Sequence, residues 1–449
     1  MDKTLSDLCR ERVPRYTSYP TAPHFKPDVG PQTYAQWLEA LQDDTPLSLY
    51  LHVPFCTALC HYCGCHTKVV NKPEVIASYG DLLIREIRLV RERIGHALPV
   101  THIHWGGGTP SLMPAETFRA IAGEIRDAFN SRPGMEHAIE LDPRTVDAAL
   151  SERLAEVGIN RASLGVQDFS PHVQELIGRR QPYGVVAAAV SNLRNAGITA
   201  VNFDLMYGLA GQTTRDVRRT ATLAIELNPS RIALFGYAHV PWFRKNQQLI
   251  DESQLPKSRE RFNQAEEAAE VLTKAGYVRI GIDHFARPDD PMAIAAGAGA
   301  LARNFQGYTT DSADVLLGFG ASSIGRLPQG HVQNTPDMMK YRQAIEAGDF
   351  ATVRGLRFAP EDRARGAIIE RLMCDFSVDL DRIAHDLHCS DRMVQPKRDR
   401  LDDLCNRGLA EFDGHVLKMT DRGRPFVRLA AAAFDTYLEA DHARHSEAV

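Results

Sequence analysis

From about residue 45 the chain repeats one pattern: a short apolar run, a polar loop, then an amphipathic stretch of helical length. Residues 47–53, 100–105, 138–141, 162–166, 201–206 and 232–237 read as strands. Residues 73–94, 115–130, 146–157 and 185–196 read as intervening helices. A strand followed by a crossover helix returns to the same end of the sheet, so its neighbour must run parallel. Six such units predict an α/β fold built on a partial (β/α)6 barrel rather than a closed eight-unit one. Chemistry in such folds sits at the C-terminal ends of the strands. Four crowded cysteines, the run Gly106, Gly107 and Gly108, and Glu140, Gln167 and Asp204 all fall at or near those ends. At 449 residues and 44% apolar composition, the chain has ample material for a large buried core.

The flanks differ. Residues 1–44 form an N-terminal arm broken by Pro14, Pro20, Pro23 and Pro27, each of which turns the preceding residue away from helix. Residues 45–275 make the core barrel. Residues 276–350 read as a barrel extension and linker, with a strand at 278–282 and an apolar, Gly-rich stretch at 315–324. Residues 351–449 read as a mainly helical C-terminal domain. Its end, 401–426, shows a helix and then a hairpin turning at Asp413 and Gly414, which is winged-helix-like. Asp402, Asp403, Glu411 and Asp413 leave that module without a basic face, and the formal net charge is -5. Neither nucleic acid nor a membrane is therefore an expected partner. The first fifteen residues have no apolar signal-peptide core and no run approaches bilayer length, so the expected location is cytoplasmic.

Eight cysteines occur: Cys9, Cys56, Cys60, Cys63, Cys65, Cys374, Cys389 and Cys405. Four of them follow the first strand with the spacing C-x3-C-x2-C-x-C. Thiolates this dense suit iron–sulfur clusters, zinc or copper(I). Zinc sites commonly use two C-x2-4-C pairs, and no second pair exists here. Three close cysteines hold three irons of a cubane and leave the fourth free to chelate the amino and carboxylate groups of S-adenosylmethionine (SAM). One electron then cleaves the sulfonium bond and yields a 5′-deoxyadenosyl radical. The C-x3-C-x2-C spacing and its place after a strand favour such a cluster over zinc.

The cysteine spacing resembles that of the radical SAM superfamily. Longer blocks narrow the resemblance: Arg15 through Ala22 (RYTSYPTA), His104 through Pro110 (HWGGGTP), Gly165 through Phe169 (GVQDF), Asp204 through Leu209 (DLMYGL), Asp283 through Asp290 (DHFARPDD) and Asn304 through Thr310 (NFQGYTT). Together they resemble the oxygen-independent coproporphyrinogen III oxidase family. The resemblance implies oxidative decarboxylation of two propionates of coproporphyrinogen III to vinyl groups, giving protoporphyrinogen IX. It also implies a 4Fe–4S cluster on Cys56, Cys60 and Cys63, with Cys65 present but not a ligand, and two SAM molecules. Tyr50, Gly107, Glu140 and Ile324 match contacts to the first SAM. Tyr62, Gly108, Thr109, Gln167, Arg179, Asp204 and Ala238 match contacts to the second.

Physical chemistry supports part of this set. Glycines at a strand end admit close approach of a ligand. Glu140 suits a ligand amine, and Asp204 suits ribose hydroxyls. Arg179, beside Arg180 in a polar stretch, reads in isolation as a surface residue; it, Ala238 and Ile324 rest on the resemblance. The same resemblance implies that the arm covers the site, that the protein is a monomer, and that electrons come from a reductase or flavodoxin-type donor and leave to an unidentified acceptor. No catalytic side chain is singled out, and the arginines or lysines that substrate carboxylates call for are unassigned. Three rival readings are a haem chaperone with the same cysteine loop but no RYTSYPTA arm, a haem-degrading relative, and a zinc-stabilised regulatory protein using the winged-helix-like tail.

Overall fold

The computed structural model describes residue 8 and residues 11–438; Cys9, the rest of the first ten residues and the end of the chain lie outside the described residues. Six strands stand side by side and parallel in chain order: β1 (Leu47–Val53), β2 (Pro99–Gly107), β3 (Asn130–Leu141), β4 (Arg161–Gln167), β5 (Ala200–Tyr207) and β6 (Arg231–Gly236). Helices α1 (Pro73–Ile94), α2 (Ala115–Ala128), α3 (Ala148–Glu156), α4 (Tyr183–Asn195), α5 (Thr214–Glu226) and α6 (Ser258–Lys274) lie along the chain between and after them. This is the partial barrel that the sequence pattern predicts.

Local chemistry fixes the helices. α1 starts on Pro73 in its first turn and ends at Gly95, whose φ of +84° few other residues adopt. Its buried stripe, Ile76, Tyr79, Leu83, Ile87, Val90 and Ile94, has helical spacing. α5 begins with a capping box between Thr213 and Asp216. The strands supply the opposite wall of the core. Leu49, Leu51, Trp105, Ile139, Leu164, Phe203 and Ile232 are buried in one cluster with the helices. The alternate residues of each strand face the barrel interior, because strand side chains have a period of two.

The sheet extends beyond six strands. The remaining members are β7 (Val278–Ile280), β8 (His284–Ala286), β9 (Val315–Phe319), β10 (Ile324–Leu327), β11 (Gly330–Asn334) and β12 (Thr352–Arg357). The order of the twelve is β12-β11-β10-β9-β1-β2-β3-β4-β5-β6-β8-β7, so the barrel stays open. β9 lies parallel to β1, whereas β10 to β12 and β7 to β8 are antiparallel additions at the two edges. The apolar stretch at 315–324 is thus two strands, broken at Gly320. There φ is +96°, and a Cβ would come within 2.5 Å of both His52 O and Tyr79 Oη. Thr352–Arg357, helical by composition, is the sheet's edge strand.

A second apolar core joins the arm to the C-terminal region, where Leu8, Val13, Tyr16 and Tyr19 pack with Ile368, Leu372, Leu401, Phe426 and Phe434. Tyr16 donates to Asp435 Oδ2 at 3.0 Å, and Arg428 donates to the carbonyl of Pro14 at 3.0 Å. The Asp413–Gly414 turn joins Ala410–Phe412 to Val416–Met419, with Ser377–Asp379 as a third strand. Among the described residues no helix is long and apolar enough to cross a membrane.

One buried carboxylate ties the sheet extension to α1. Glu86 accepts hydrogen bonds from Tyr341 Oη (2.7 Å), Gly320 N (2.7 Å) and Asn334 Nδ2 (2.6 Å). Glu86→Ala would leave three buried donors without their acceptor, so a loss of about 3 kcal/mol or more is expected in urea-unfolding measurements.

Candidate active site

The cysteine loop begins where β1 ends and is pinned at several points. Phe55–Cys56 pairs in parallel with Lys68–Val69, closing the loop on itself. Gly108 N donates to Val53 O at 2.9 Å and Thr109 N to Phe55 O at 2.7 Å, which holds the loop's entry against the end of β2. This seating requires glycine. A Cβ at Gly106 would stand 2.8 Å from Glu140 Oε1, one at Gly107 2.6 Å from the His52 ring, and one at Gly108 2.4 Å from Phe55 O. The run therefore serves close packing of strand, loop and carboxylate as well as the openness expected of it.

From the opposite side, the short 3-10 helix Lys245–Leu249 gathers the loop's carbonyls. Asn246 Nδ2 lies 3.1, 3.0 and 2.9 Å from the carbonyl oxygens of Cys60, His61 and Cys63. Gln247 donates to Tyr62 O at 2.9 Å. Neither residue stands out in the sequence, since a polar pair after a strand gives no sign of what it will reach.

A cavity of ≈ 660 Å³ opens under this loop. Cys56, Cys60, Cys63 and Cys65 line it together with Tyr62, Gly107, Gly108, Thr109, Glu140, Gln167, Arg179, Asp204 and Ala238. Tyr50 and Ile324 stand behind the wall. Tyr50 stacks on His104, with ring centroids 5.9 Å apart, and meets His52 Nδ1 at 3.0 Å. Ile324 opens β10, its carbonyl close against Gly318, the β9 partner of Tyr50. The inward residues of the strands complete the lining: His104; Glu136 and Ala138; Arg161, Ser163 and Gly165; Asn202; and Arg231 and Ala233. Their alternation with apolar residues is readable in the sequence and marks the interior face.

The charged groups are interlocked. Glu140 accepts from His104 Nε2 and from Gly107 N, both at 3.1 Å. Burial pushes its pKa up, but these donors outweigh burial and hold it below the ordinary glutamate value. Asp204, 3.2 Å from Ser163 Oγ, goes the other way: burial and then the nearby Glu140 charge push it up to about 7. Arg179 is 7% exposed, against 77% for the side chain of Arg180. It donates to Asp142 Oδ2 (3.2 Å), to Gly165 O (2.9 Å) and toward Cys60 Sγ (3.4 Å). Gln167 turns into the cavity at φ +66°, where β4 bulges.

Residues 50–224 match the Radical SAM superfamily, and residues 358–426 match the HemN C-terminal domain. The oxygen-independent coproporphyrinogen III oxidase of Bradyrhizobium diazoefficiens is 49% identical over 98% of both chains. The chain belongs to the oxygen-independent coproporphyrinogen III oxidase family. The Escherichia coli member is 38% identical over 95% of this chain and 93% of its own. The solved structure of coproporphyrinogen III oxidase (HemN) from Escherichia coli, described as a radical SAM enzyme, matches with a TM-score of 0.89 at 36% identity, covering 94% of this chain and 97% of that one.

Membership in this radical SAM family brings a 4Fe–4S cluster and SAM, and the donor set fits them. Cys56, Cys60 and Cys63 line one cavity, with Cys65 beside them, and soft thiolates are the usual ligands of such clusters. Thr109 Oγ1 lies 3.8 Å from Cys56 Sγ. A hydrogen bond from Cys65 draws the Cys63 thiol down to about 6, while Cys65 itself is raised. Asn246→Ala should loosen the loop that carries all three thiols. The iron bound per chain after anaerobic reconstitution is expected to fall several-fold, with the fold retained by circular dichroism.

Proposed function

We propose that this chain converts coproporphyrinogen III to protoporphyrinogen IX without oxygen, a step of haem and porphyrin biosynthesis. Two propionates become vinyl groups, each losing CO2, a β-hydrogen atom and one electron that passes to an acceptor. The observation that carries this reading is the meeting of Cys56, Cys60 and Cys63 with the polar strand ends in one cavity. The 49% identity across the full length of a curated oxidase supports the substrate. When bound, the cluster and SAM supply the 5′-deoxyadenosyl radical that removes the hydrogen atom.

The residues divide as follows. Cys56, Cys60 and Cys63 hold the cluster. Two SAM molecules lie side by side, the first against Gly107 and Glu140, the second against Tyr62, Gly108, Thr109, Gln167, Arg179, Asp204 and Ala238. Tyr50, stacked on His104, and Ile324, beside the β9 partner of Tyr50, complete the contacts to the first SAM. Glu140, kept ionised by His104 and the Gly107 amide, accepts from the amine of SAM. Residues 1–44 cover the site, 45–275 form the radical SAM core, 276–350 its extension and linker, and 351–449 the mainly helical domain, which opens on the sheet's edge strand Thr352–Arg357 and whose described part beyond it packs on the arm. The protein acts as a cytoplasmic monomer with a reductase or flavodoxin-type donor and an unidentified acceptor.

Anaerobically reconstituted protein given SAM, a reductant and coproporphyrinogen III should yield protoporphyrinogen IX and 5′-deoxyadenosine by mass spectrometry, and Cys56→Ala should abolish both. Deoxyadenosine without decarboxylation would sink the substrate assignment.

Asp204 sets a pH dependence. Its folded pKa is raised to about 7, so the carboxylate that accepts from ribose hydroxyls is present above that pH and is lost as pH falls through it. SAM affinity, measured by equilibrium dialysis, is expected to drop several-fold on that descent, and Asp204→Asn should flatten the profile.

A further inference from the structure

Coproporphyrinogen III carries propionates that the reaction leaves intact, besides the two it converts. Each carboxylate enclosed by protein needs a cationic, hydrogen-bonding partner. The arginines on the barrel floor are already engaged. Arg161 Nε pairs with Glu136 Oε2 at 2.8 Å, Arg231 Nε with Asp290 Oδ1 at 2.7 Å, and the cross pairs close the square at 3.4 and 3.3 Å. Arg179 is held by Asp142.

A second set of arginines is built differently. Arg15 from the arm, Arg261 from α6, Arg303 from the strand Ala302–Asn304 and Arg428 from the C-terminal region line a recess of ≈ 80 Å³. Arg15 and Gly236 line both this recess and the main cavity. Among the described residues, the hydrogen bonds of the Arg15, Arg261 and Arg303 guanidiniums go only to main-chain carbonyls. Arg15 Nη2 donates to Gly236 O (2.9 Å), Arg261 Nη1 to Tyr237 O (2.8 Å), and Arg303 to the carbonyls of Tyr16 (3.1 Å) and Arg15 (3.3 Å). Arg261 Nε and Arg303 Nη1 are buried and make no hydrogen bond.

Two carboxylates border the recess. Asp283 accepts from His284 Nδ1 at 2.7 Å, and Glu266 pairs with Arg279 at 3.1 Å. Among the described residues positive charge is therefore in excess at the recess. Burial, opposed by Asp283 and reinforced by the neighbouring guanidiniums, lowers Arg15. Burial and then Arg15 lower Arg428 to about 9. An anion entering the recess would relieve both. The backbone keeps room for the cluster: a Cβ at Gly208 would stand 2.8 Å from Arg261 Nη1, and one at Gly236 3.2 Å from Arg261 Nη2.

We propose that Arg15, Arg261 and Arg303 form a carboxylate subsite that receives a substrate propionate turned away from the cysteine loop, a proposal that rests on reading the chain as a coproporphyrinogen oxidase. The macrocycle occupies the larger cavity, and the recess has the volume of a carboxyl end rather than of a ring. Fastening the arm explains the contacts of Arg303 and Arg428. It leaves Arg261 unexplained, since the carbonyl Arg261 holds belongs to the barrel.

The test uses the full-length, anaerobically reconstituted protein and coproporphyrin III, the oxidised macrocycle with the same carboxylates, alongside its tetramethyl ester. Arg261→Gln and Arg303→Gln should each weaken coproporphyrin III binding about tenfold or more, while Arg261→Lys restores part of it. KM for coproporphyrinogen III should rise more than kcat falls. Ester binding should be indifferent to Arg261→Gln, and Arg132→Gln, on an exposed strand end, should behave as wild type. Iron content and the thermal midpoint separate any folding defect from a binding one. Acid binding by both Gln variants within about twofold of wild type, or equal losses for acid and ester, would overturn the subsite, as would a wild-type protein that does not bind coproporphyrin III. Tight, Arg261-dependent binding with no protoporphyrinogen formed would keep the subsite and remove the oxidase reading instead.

Discussion

Between the ends of β1 and β2 there is no room for a side chain. Gly106, Gly107 and Gly108 bring the backbone so near to Glu140, His52 and the Phe55 carbonyl that one added carbon at any of the three would collide. That approach makes Gly107 N a donor to Glu140, sets Glu140 against His104, and places the start of the cysteine loop over the barrel mouth. From there the loop is closed by its own two-residue strand pair and by Asn246 and Gln247 from beyond β6. Three thiols that must face one cavity are thus carried by a loop whose carbonyls are held from both sides, which is how a weakly structured segment becomes a defined ligand set.

The barrel interior sorts charge by depth. At the floor, two arginines and two carboxylates neutralise one another and close the lower end. At the mouth, carboxylates predominate. Glu140 is ionised by its donors, whereas Asp204 resists ionisation because it is buried and, after that, because the Glu140 charge repels its own. Arg179, held by Asp142, sets one positive charge beside Cys60 at the mouth. To one side, beyond Gly236, stands the arginine group, which among the described residues outnumbers the two carboxylates, Asp283 and Glu266, that border it. A cavity so graded favours a ligand with cationic and hydroxyl groups at the thiol end and anionic groups at the far end, which are the polarities of SAM and of a carboxylated tetrapyrrole.

The arm belongs to both halves of the molecule. Tyr16 has φ +47°, an uncommon conformation for a residue with a bulky side chain. Across this turn Tyr16 reaches Asp435, while Arg15 reaches the carbonyl of Gly236 at the barrel. The second apolar core anchors the arm to the C-terminal helices. The winged-helix-like region therefore acts as a structural clamp, holding Arg15 at the edge of the main cavity.

Much of the fold was legible in the sequence because it depends on local periodicity: apolar runs of strand length alternating with helical stripes require parallel strands, and α1 spans the stretch 73–94 that reads as a helix. The cysteine spacing was equally local, since ligands within a single loop need no tertiary information to be recognised as a set. What the sequence could not settle was the outcome of contacts between distant segments. Arg179 and Arg180 are identical in type and adjacent, yet one is buried on Asp142 and the other exposed on Glu175, because only the placement of the loop after β4 distinguishes them. Asn246 carries no motif, and its role exists because the chain after β6 passes under the cysteine loop. The arginine recess draws on residues 15, 261, 303 and 428, a juxtaposition that no spacing rule encodes. Periodicity and ligand spacing are properties of neighbouring residues and survive in a linear reading; burial, charge balance and cavity shape arise where remote segments meet, and the tertiary structure alone decides them.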